Sequence, residues 1–234
     1  MKKQLGLIGA GVCVWAGAAM ADPLPVDRDK VEFGEMTFRL MLAGEEKGEM
    51  FYALEQRDDV LVLHDGSTMM PSTRESLTAV FDAETLAPRS IVLDADFSRT
   101  VLDADLEFTG GKATGLYRIK QPDQLDKTDR PFDLEIPEHT VFRGSVFGLA
   151  SGLPLEEGDV YNIKWFASLA GAVQDVELAV EGEETVTVPA GEFETIKLHV
   201  KAQPENMIYV TKASPRRIVR IDVIGMDMVF ERMP

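Results

Sequence analysis

Leu93-Asp94-Ala95-Asp96-Phe97 is followed, four residues on, by Leu102-Asp103-Ala104-Asp105-Leu106. Both copies alternate apolar and acidic residues with a period of two. That period places Leu93, Ala95 and Phe97 on one face of an extended chain and Asp94 and Asp96 on the other. The second copy sorts in the same way. The pair reads as two neighbouring strands of one sheet, with one face packed and the other wet.

The same period runs outward in both directions. Phe108 extends the second copy, Gly110-Gly111 closes it, and residues 116–120 form another strand candidate. Upstream, residues 77–81 alternate before a turn at 82–88. Residues 60–64 form a strand that the Asp65-Gly66 pair is expected to end as a turn. Phe38, Leu40 and Leu42 share a face, a hairpin connection spans 43–48, and residues 50–55 return. The polar stretch 121–131, bracketed by Pro122 and Pro131, reads as a surface loop or linker. Residues 140–150 hold Val141, Phe142, Val146, Leu149 and Ala150 near helical spacing and predict one short helix, although Gly144 and Gly148 oppose it. The last third predicts strands at 159–167, 173–180, 185–188, 193–201, 207–211, 217–223 and 226–231. Many short strands with a single helix predict an all-β, antiparallel domain over residues 22–234, a curved sheet or barrel-like body.

The start of the chain speaks to location. Lys2 and Lys3 precede the uncharged run 5–18, and Ala19-Met20-Ala21 precedes Asp22. This is the pattern of a cleaved secretory signal peptide at 1–21. The run is too short and too glycine-rich for a membrane-spanning helix. Export to a bacterial periplasm is expected, with no membrane span. Cys13 is the single cysteine. It lies inside this run behind Val12, a poor setting for lipidation, so the exported chain is expected to hold neither thiol nor disulfide. The net charge of −16 argues against a nucleic-acid partner and against docking on anionic membranes.

Val188-Pro189-Ala190-Gly191-Glu192-Phe193, followed by Thr195-Ile196-Lys197-Leu198, is the most recognisable segment. A strand reaches a Pro-Ala-Gly turn, the aromatic Phe193 plugs in, and an alternating strand leaves. Ile208-Tyr209-Val210, the strand around Arg217-Ile218-Val219-Arg220 and Gly225-Met226-Asp227-Met228 continue the pattern. From about residue 155 onward the chain resembles a bacterial exported family known only as domain of unknown function 3108 (DUF3108). The resemblance implies an exported, mainly antiparallel β-domain, with Pro189, Gly191 and Phe193 as a structural motif. It implies no reaction and no catalytic residue.

Candidate chemistry is sparse. Asp94, Asp96, Asp103 and Asp105 present hard oxygen ligands of the kind Ca²⁺ takes, but no glycine-bearing calcium loop accompanies them, and two solvated acidic strand faces are the alternative. Lys212, Arg216, Arg217 and Arg220 form one basic cluster, either an anion or lipid-headgroup contact or edge-strand protection and salt bridging. Strand phase puts Arg217 on one face with Val219, Ile221 and Val223, and Arg216 and Arg220 on the other. His64, His139 and His199 lack metal-ligand spacing. No Gly-x-Ser-x-Gly elbow occurs, no carboxylate pair stands out for glycoside hydrolysis, and no cofactor is expected. Met36, Met41, Met50, Met69, Met70, Met207, Met226 and Met228 are suited to an adaptable apolar cavity or to ordinary core filling.

These features lead to an expected non-catalytic binding or carrier module for an apolar or amphipathic envelope component. A structural or protein-interaction module in envelope assembly is the alternative, and a carboxylate-dependent hydrolase a third reading. A carrier calls for an apolar cavity open at one end. An interaction module calls for solid packing beneath an exposed apolar patch, and a hydrolase for two carboxylates converging in a cleft.

Overall fold

The computed structural model describes residues 23–71 and 73–234. The expected signal peptide and Cys13 lie outside the described residues. Period-two sequences have folded as strands throughout: β1 (Gly34–Leu42), β2 (Glu45–Arg57), β3 (Val60–Met69), β4 (Thr73–Asp82), β5 (Pro88–Phe97), β6 (Val101–Thr109), β7 (Lys112–Lys120), β8 (Thr128–Glu135) and β9 (Thr140–Phe142) lead to helix α1 (Arg143–Leu149). After it come β10 (Val160–Ala167), β11 (Ala172–Val188), β12 (Gly191–Lys201), β13 (Asn206–Thr211), β14 (Ile218–Val223) and β15 (Met228–Arg232).

Among the described residues these form one sheet, in the order β8-β7-β6-β5-β4-β3-β2-β1-β15-β14-β13-β12-β11-β10-β9. Two meanders are joined where β15 pairs with β1, Leu40 opposite Phe230. Every pairing is antiparallel except β9 with β10. The sheet is curved and open. Its two wings meet through side chains instead of a backbone ladder: the Phe108 and Phe132 rings stand edge-on to Phe166, at 5.1 and 6.1 Å. Tyr117 Oη donates to the Ser168 carbonyl at 2.7 Å. Both edges are blunted. β8 carries Pro131 among charged residues, and β9 is three residues long, features that discourage further strand pairing.

The repeated segment forms β5 and β6 in direct register, Leu93 opposite Ala104 and Ala95 opposite Leu102. Those four are buried in the concave core. The core continues through Leu54, Leu63, Phe81, Ile91, Trp165, Phe166, Leu198 and Ile208. On the convex side the tip of the β11–β12 hairpin, turned at Pro189 and Ala190, folds back: Ala190 N–H donates to the Arg232 carbonyl at 3.1 Å. There Val186 and Val188 meet Tyr209 and Val219, with Phe193 and Met207 against them.

Five sequence expectations are corrected. Asp65-Gly66 is not a turn; it lies within β3, and the chain reverses at Met70-Pro71 instead. The loop expected at 121–131 is shorter, residues 121–127, because Thr128 already pairs with Ile119. The helix expected over 140–150 begins at Arg143, after the short strand β9, and ends in a single 3₁₀ turn, Ala150–Gly152. The strands expected at 173–180 and 185–188 are one continuous β11, irregular between Val180 and Glu183. A bulge in β14 shifts the strand phase: Tyr209 pairs with Arg220 and Val210 with Ile218, leaving Val219 over. Val219 therefore packs on the convex side while Ile218 and Ile221 face the concave core, so Arg217, Val219 and Ile221 do not share one face.

The glycines that oppose a helix by propensity are what let α1 lie close to the sheet. A Cβ at Gly148 would stand 2.4 Å from Tyr52 Oη, and one at Gly144 2.5 Å from the Phe142 ring. Tyr52 Oη donates to the Gly144 carbonyl at 3.1 Å. Replacing Gly148 by Ala adds about 1 kcal/mol of helix propensity but overpacks a buried contact, which costs about 1–3 kcal/mol. Gly148→Ala should therefore lower the urea midpoint of unfolding; a raised midpoint would mean that α1 does not rest on Tyr52.

Candidate functional site

Between the concave face and α1 lies a cavity of about 420 Å³, within the roughly 300–1,000 Å³ of small-molecule sites. Strand register assembles its wall. One row crosses the sheet as Met36, Tyr52, Asp65, Leu77 and Leu93, each opposite the next. The neighbouring row runs Phe38, Met50, Ser67, Glu75 and Ala95. Ile218, Ile221, Met228 and Phe230 line the wall from β14 and β15, and Phe147 and Arg143 from α1. Met69, at the end of β3, and Met226, in the turn between β14 and β15, also line it. Of the other methionines, Met70 is exposed and Met207 packs on the convex side.

Three ionisable groups interrupt this apolar lining. Asp65 and Glu75 sit on adjacent strands, offset diagonally by two residues, an arrangement that spaces Cα atoms about 7–8 Å apart. Arg143 approaches from the first residue of α1. Its guanidinium lies over the rings of Trp165 and Phe147, at 5.6 and 5.8 Å, a favourable placement for a partly desolvated cation. Arg143 closes no ion pair with either carboxylate, and among the described residues none of the three side chains makes a hydrogen bond.

Their electrostatics follow from burial. Desolvation pushes the Asp65 carboxyl up to about 7, with the Glu75 charge adding to the rise and Arg143 opposing it. Burial likewise raises Glu75, again opposed by Arg143, and draws the guanidinium down from its ordinary value. The Tyr52 phenol, opposite Asp65, is pushed up by burial and by that carboxylate.

The residues singled out in the sequence lie elsewhere. Asp94 and Asp103 face each other across β5 and β6. Asp94 pairs with Arg74 at 3.0 Å and Asp103 with Lys127 at 2.6 Å. Asp96 accepts from the Ser98 N–H at 2.9 Å, and Asp105 is exposed. Among the described residues no cluster of three or more histidines or carboxylates converges as a metal site. The basic cluster is tied within the chain: Lys212 to Glu183 at 2.7 Å, Arg216 to the Leu153 carbonyl at 2.8 Å, Arg217 to Glu32 at 3.5 Å and Arg220 to Asp222 at 2.6 Å. Pro189, Gly191 and Phe193 shape the folded-back hairpin on the convex side, away from the cavity lining.

The sequence reading missed Asp65, Glu75 and Arg143. A signal for Asp65 was present: it keeps the phase of Leu61 and Leu63, and so belongs to their inward face. Taking Asp65-Gly66 as a turn removed it from that face.

The fold is thus an open antiparallel roll around an apolar cavity with a charged spot in its wall. The model of the family described as a protein of unknown function (DUF3108) matches residues 35–230, and the chain belongs to that family. No curated protein matches it. Among solved structures it is similar to a protein inferred to be exported, with a YmcC-like fold, from Bacteroides fragilis NCTC 9343, at 11% identity and a TM-score of 0.26, over 91% of this chain and 97% of that one. Overlap this loose transfers nothing, and the fold stands on this chain's own strand order. Among the described residues no helix is long and apolar enough to cross a membrane.

Asp65 has a measurable signature. Its folded value of about 7 exceeds the ordinary 3.8, so between these limits the folded state holds a proton that the unfolded state has lost, and stability falls as pH rises through that window. Asp65→Asn removes the cost of ionisation. The variant should be more stable than the parent toward urea at about pH 8, and the gap should close by about pH 4. Equal stability at the higher pH would show that Asp65 titrates as an ordinary exposed acid.

Proposed function

We propose that this chain is a non-catalytic binding or carrier module for an apolar or amphipathic component of the cell envelope, working in the periplasm after loss of residues 1–21. The observation that carries the reading is the cavity itself, walled by methionine, phenylalanine and branched aliphatic side chains. Thioether chains adapt to guests of differing shape at little cost. A solidly packed interaction module has no use for such a space.

Asp65 and Glu75 give the hydrolase alternative a carboxylate pair in a cleft. Two features favour binding instead. The surrounding wall is mostly apolar, and Trp165, the one tryptophan among the described residues, is fully buried behind Arg143 and offers no face for stacking a sugar.

Native mass spectrometry of the protein purified from the periplasm, followed by solvent extraction, tests the reading. A reproducible apolar adduct is expected. Met50→Trp places an indole in the cavity and should displace that adduct, weakening binding of the fluorescent probe N-phenylnaphthylamine about tenfold, or about 1.4 kcal/mol. A clean apo mass together with no probe binding would overturn the proposal and direct the search to protein partners.

A further inference from the structure

Resting on the carrier reading, we propose that Asp65, Glu75 and Arg143 form the socket for the head of a single-chain amphiphile carrying both a phosphate and a primary ammonium, the phosphate toward Arg143 and the ammonium toward the two carboxylates.

Charged groups inside an apolar enclosure are costly unless they are paired and hydrogen-bonded. Here three of them line the wall without a hydrogen bond from the described residues, and the guanidinium stays out of ion-pair contact with either acid. Their donors and acceptors reach the open cavity, where the polar head of a guest can take the place of water.

The signs narrow that partner. A purely anionic head, such as a fatty acid carboxylate, would meet Arg143 but also two acids. A purely cationic head would meet the acids but also the guanidinium. A neutral hydroxyl head would hydrogen-bond these groups but bring no opposite charge of its own to either half. A head with both signs satisfies both halves of the socket.

Orientation narrows it further. The Arg143 guanidinium sits over Trp165 and Phe147, at 5.6 and 5.8 Å, and its N–H groups, which make no hydrogen bond with the described residues, have the fork geometry that suits phosphate. Arg143 already lies over two of the rings, Trp165 and Phe147, on which a quaternary ammonium beside it would rest. Asp65 and Glu75 instead require N–H donors, which a primary ammonium has and a quaternary one lacks. The cavity's volume of about 420 Å³ suits one acyl chain lying along Met36, Met50, Met228 and Phe230.

Binding of such a head is pH-dependent. The ionisable groups facing Asp65 are Tyr52 of β2, Glu75 of β4 and Arg143 of α1. With the phenol pushed up by burial, Tyr52 stays neutral and Arg143 stays charged around neutral pH, so the carboxylates alone titrate. As pH falls through about 7, Asp65 takes up a proton and the ammonium loses a partner.

Isothermal titration calorimetry of the purified protein, with each probe below its micellar concentration, tests the assignment. The probes are myristoyl lysophosphatidylethanolamine, its phosphatidylcholine counterpart, myristate, tetradecylamine and monomyristoylglycerol. The ethanolamine probe should bind at least about tenfold tighter than any of the others, and its affinity should fall between about pH 8 and pH 5.5. Arg143→Met and Glu75→Gln should each narrow its advantage over monomyristoylglycerol, whose head carries no charge, about tenfold; they lie on different elements, so misfolding of one leaves the other informative. If the choline, fatty acid, amine or glycerol probe binds as tightly as the ethanolamine probe, the head assignment is overturned and the apolar carrier reading stands. If neither the amphiphiles nor N-phenylnaphthylamine bind, both fall.

Discussion

The register of the concave face is the constraint on which the rest of this structure depends. From β1 to β6 the strands are antiparallel neighbours, so each inward residue has a fixed partner on the next strand. Met36, Tyr52, Asp65, Leu77, Leu93 and Ala104 are therefore one physical row, although 68 positions separate its ends. A slip of one residue in any pairing would turn a whole strand's apolar side chains to water. The same fixity carries Asp65 and Glu75 inward, because neither can leave the concave face without taking Leu61 and Leu63, or Leu77 and Ala79, with it. The energy of burying those neighbours, about 1.5–3 kcal/mol for each large aliphatic side chain, offsets the cost of two desolvated acids.

Helix α1 completes the arrangement from the opposite side. It is only seven residues long and has no side-chain N-cap, so little of its stability is local. It is held by what it touches: Val146 and Leu149 are wholly buried, and Gly148 admits the Tyr52 ring. This seat places Arg143 in the wall of the cavity that Asp65 and Glu75 also line. Cavity, helix and charged spot thus depend on one another, with Tyr52 under the helix and in the same row as Asp65.

Much of the fold was legible because period two is a local property. The repeated segment became β5 and β6, the turns at Gly110-Gly111 and around residues 83–87 stand where expected, and the family resemblance drawn from Pro189 to Phe193 agrees with the match over residues 35–230. What was not legible depends on position in space. The bulge that strands Val219 is invisible to a count of alternating residues, and it misassigned a face. Gly144 and Gly148 look like helix breakers until a ring is seen beside them. Asp65-Gly66 carries the composition of a turn, yet its neighbours on both sides hold it in a strand. The basic cluster draws the eye by contrast with an acidic chain, but its partners Glu183, Glu32 and Asp222 are not all near it in sequence.

The seam between the wings has a mechanical consequence. A closed barrel can change its girth only by breaking ladder hydrogen bonds along a whole strand. Here the wings are joined by the ring contacts of Phe108 and Phe132 with Phe166 and by the Tyr117 hydroxyl on Ser168. Such contacts are worth about 0.5–1.5 kcal/mol each; parting them uncovers the buried Phe166 ring but leaves every strand pairing in place. The roll is built like a split ring, stiff along each strand and compliant across one line.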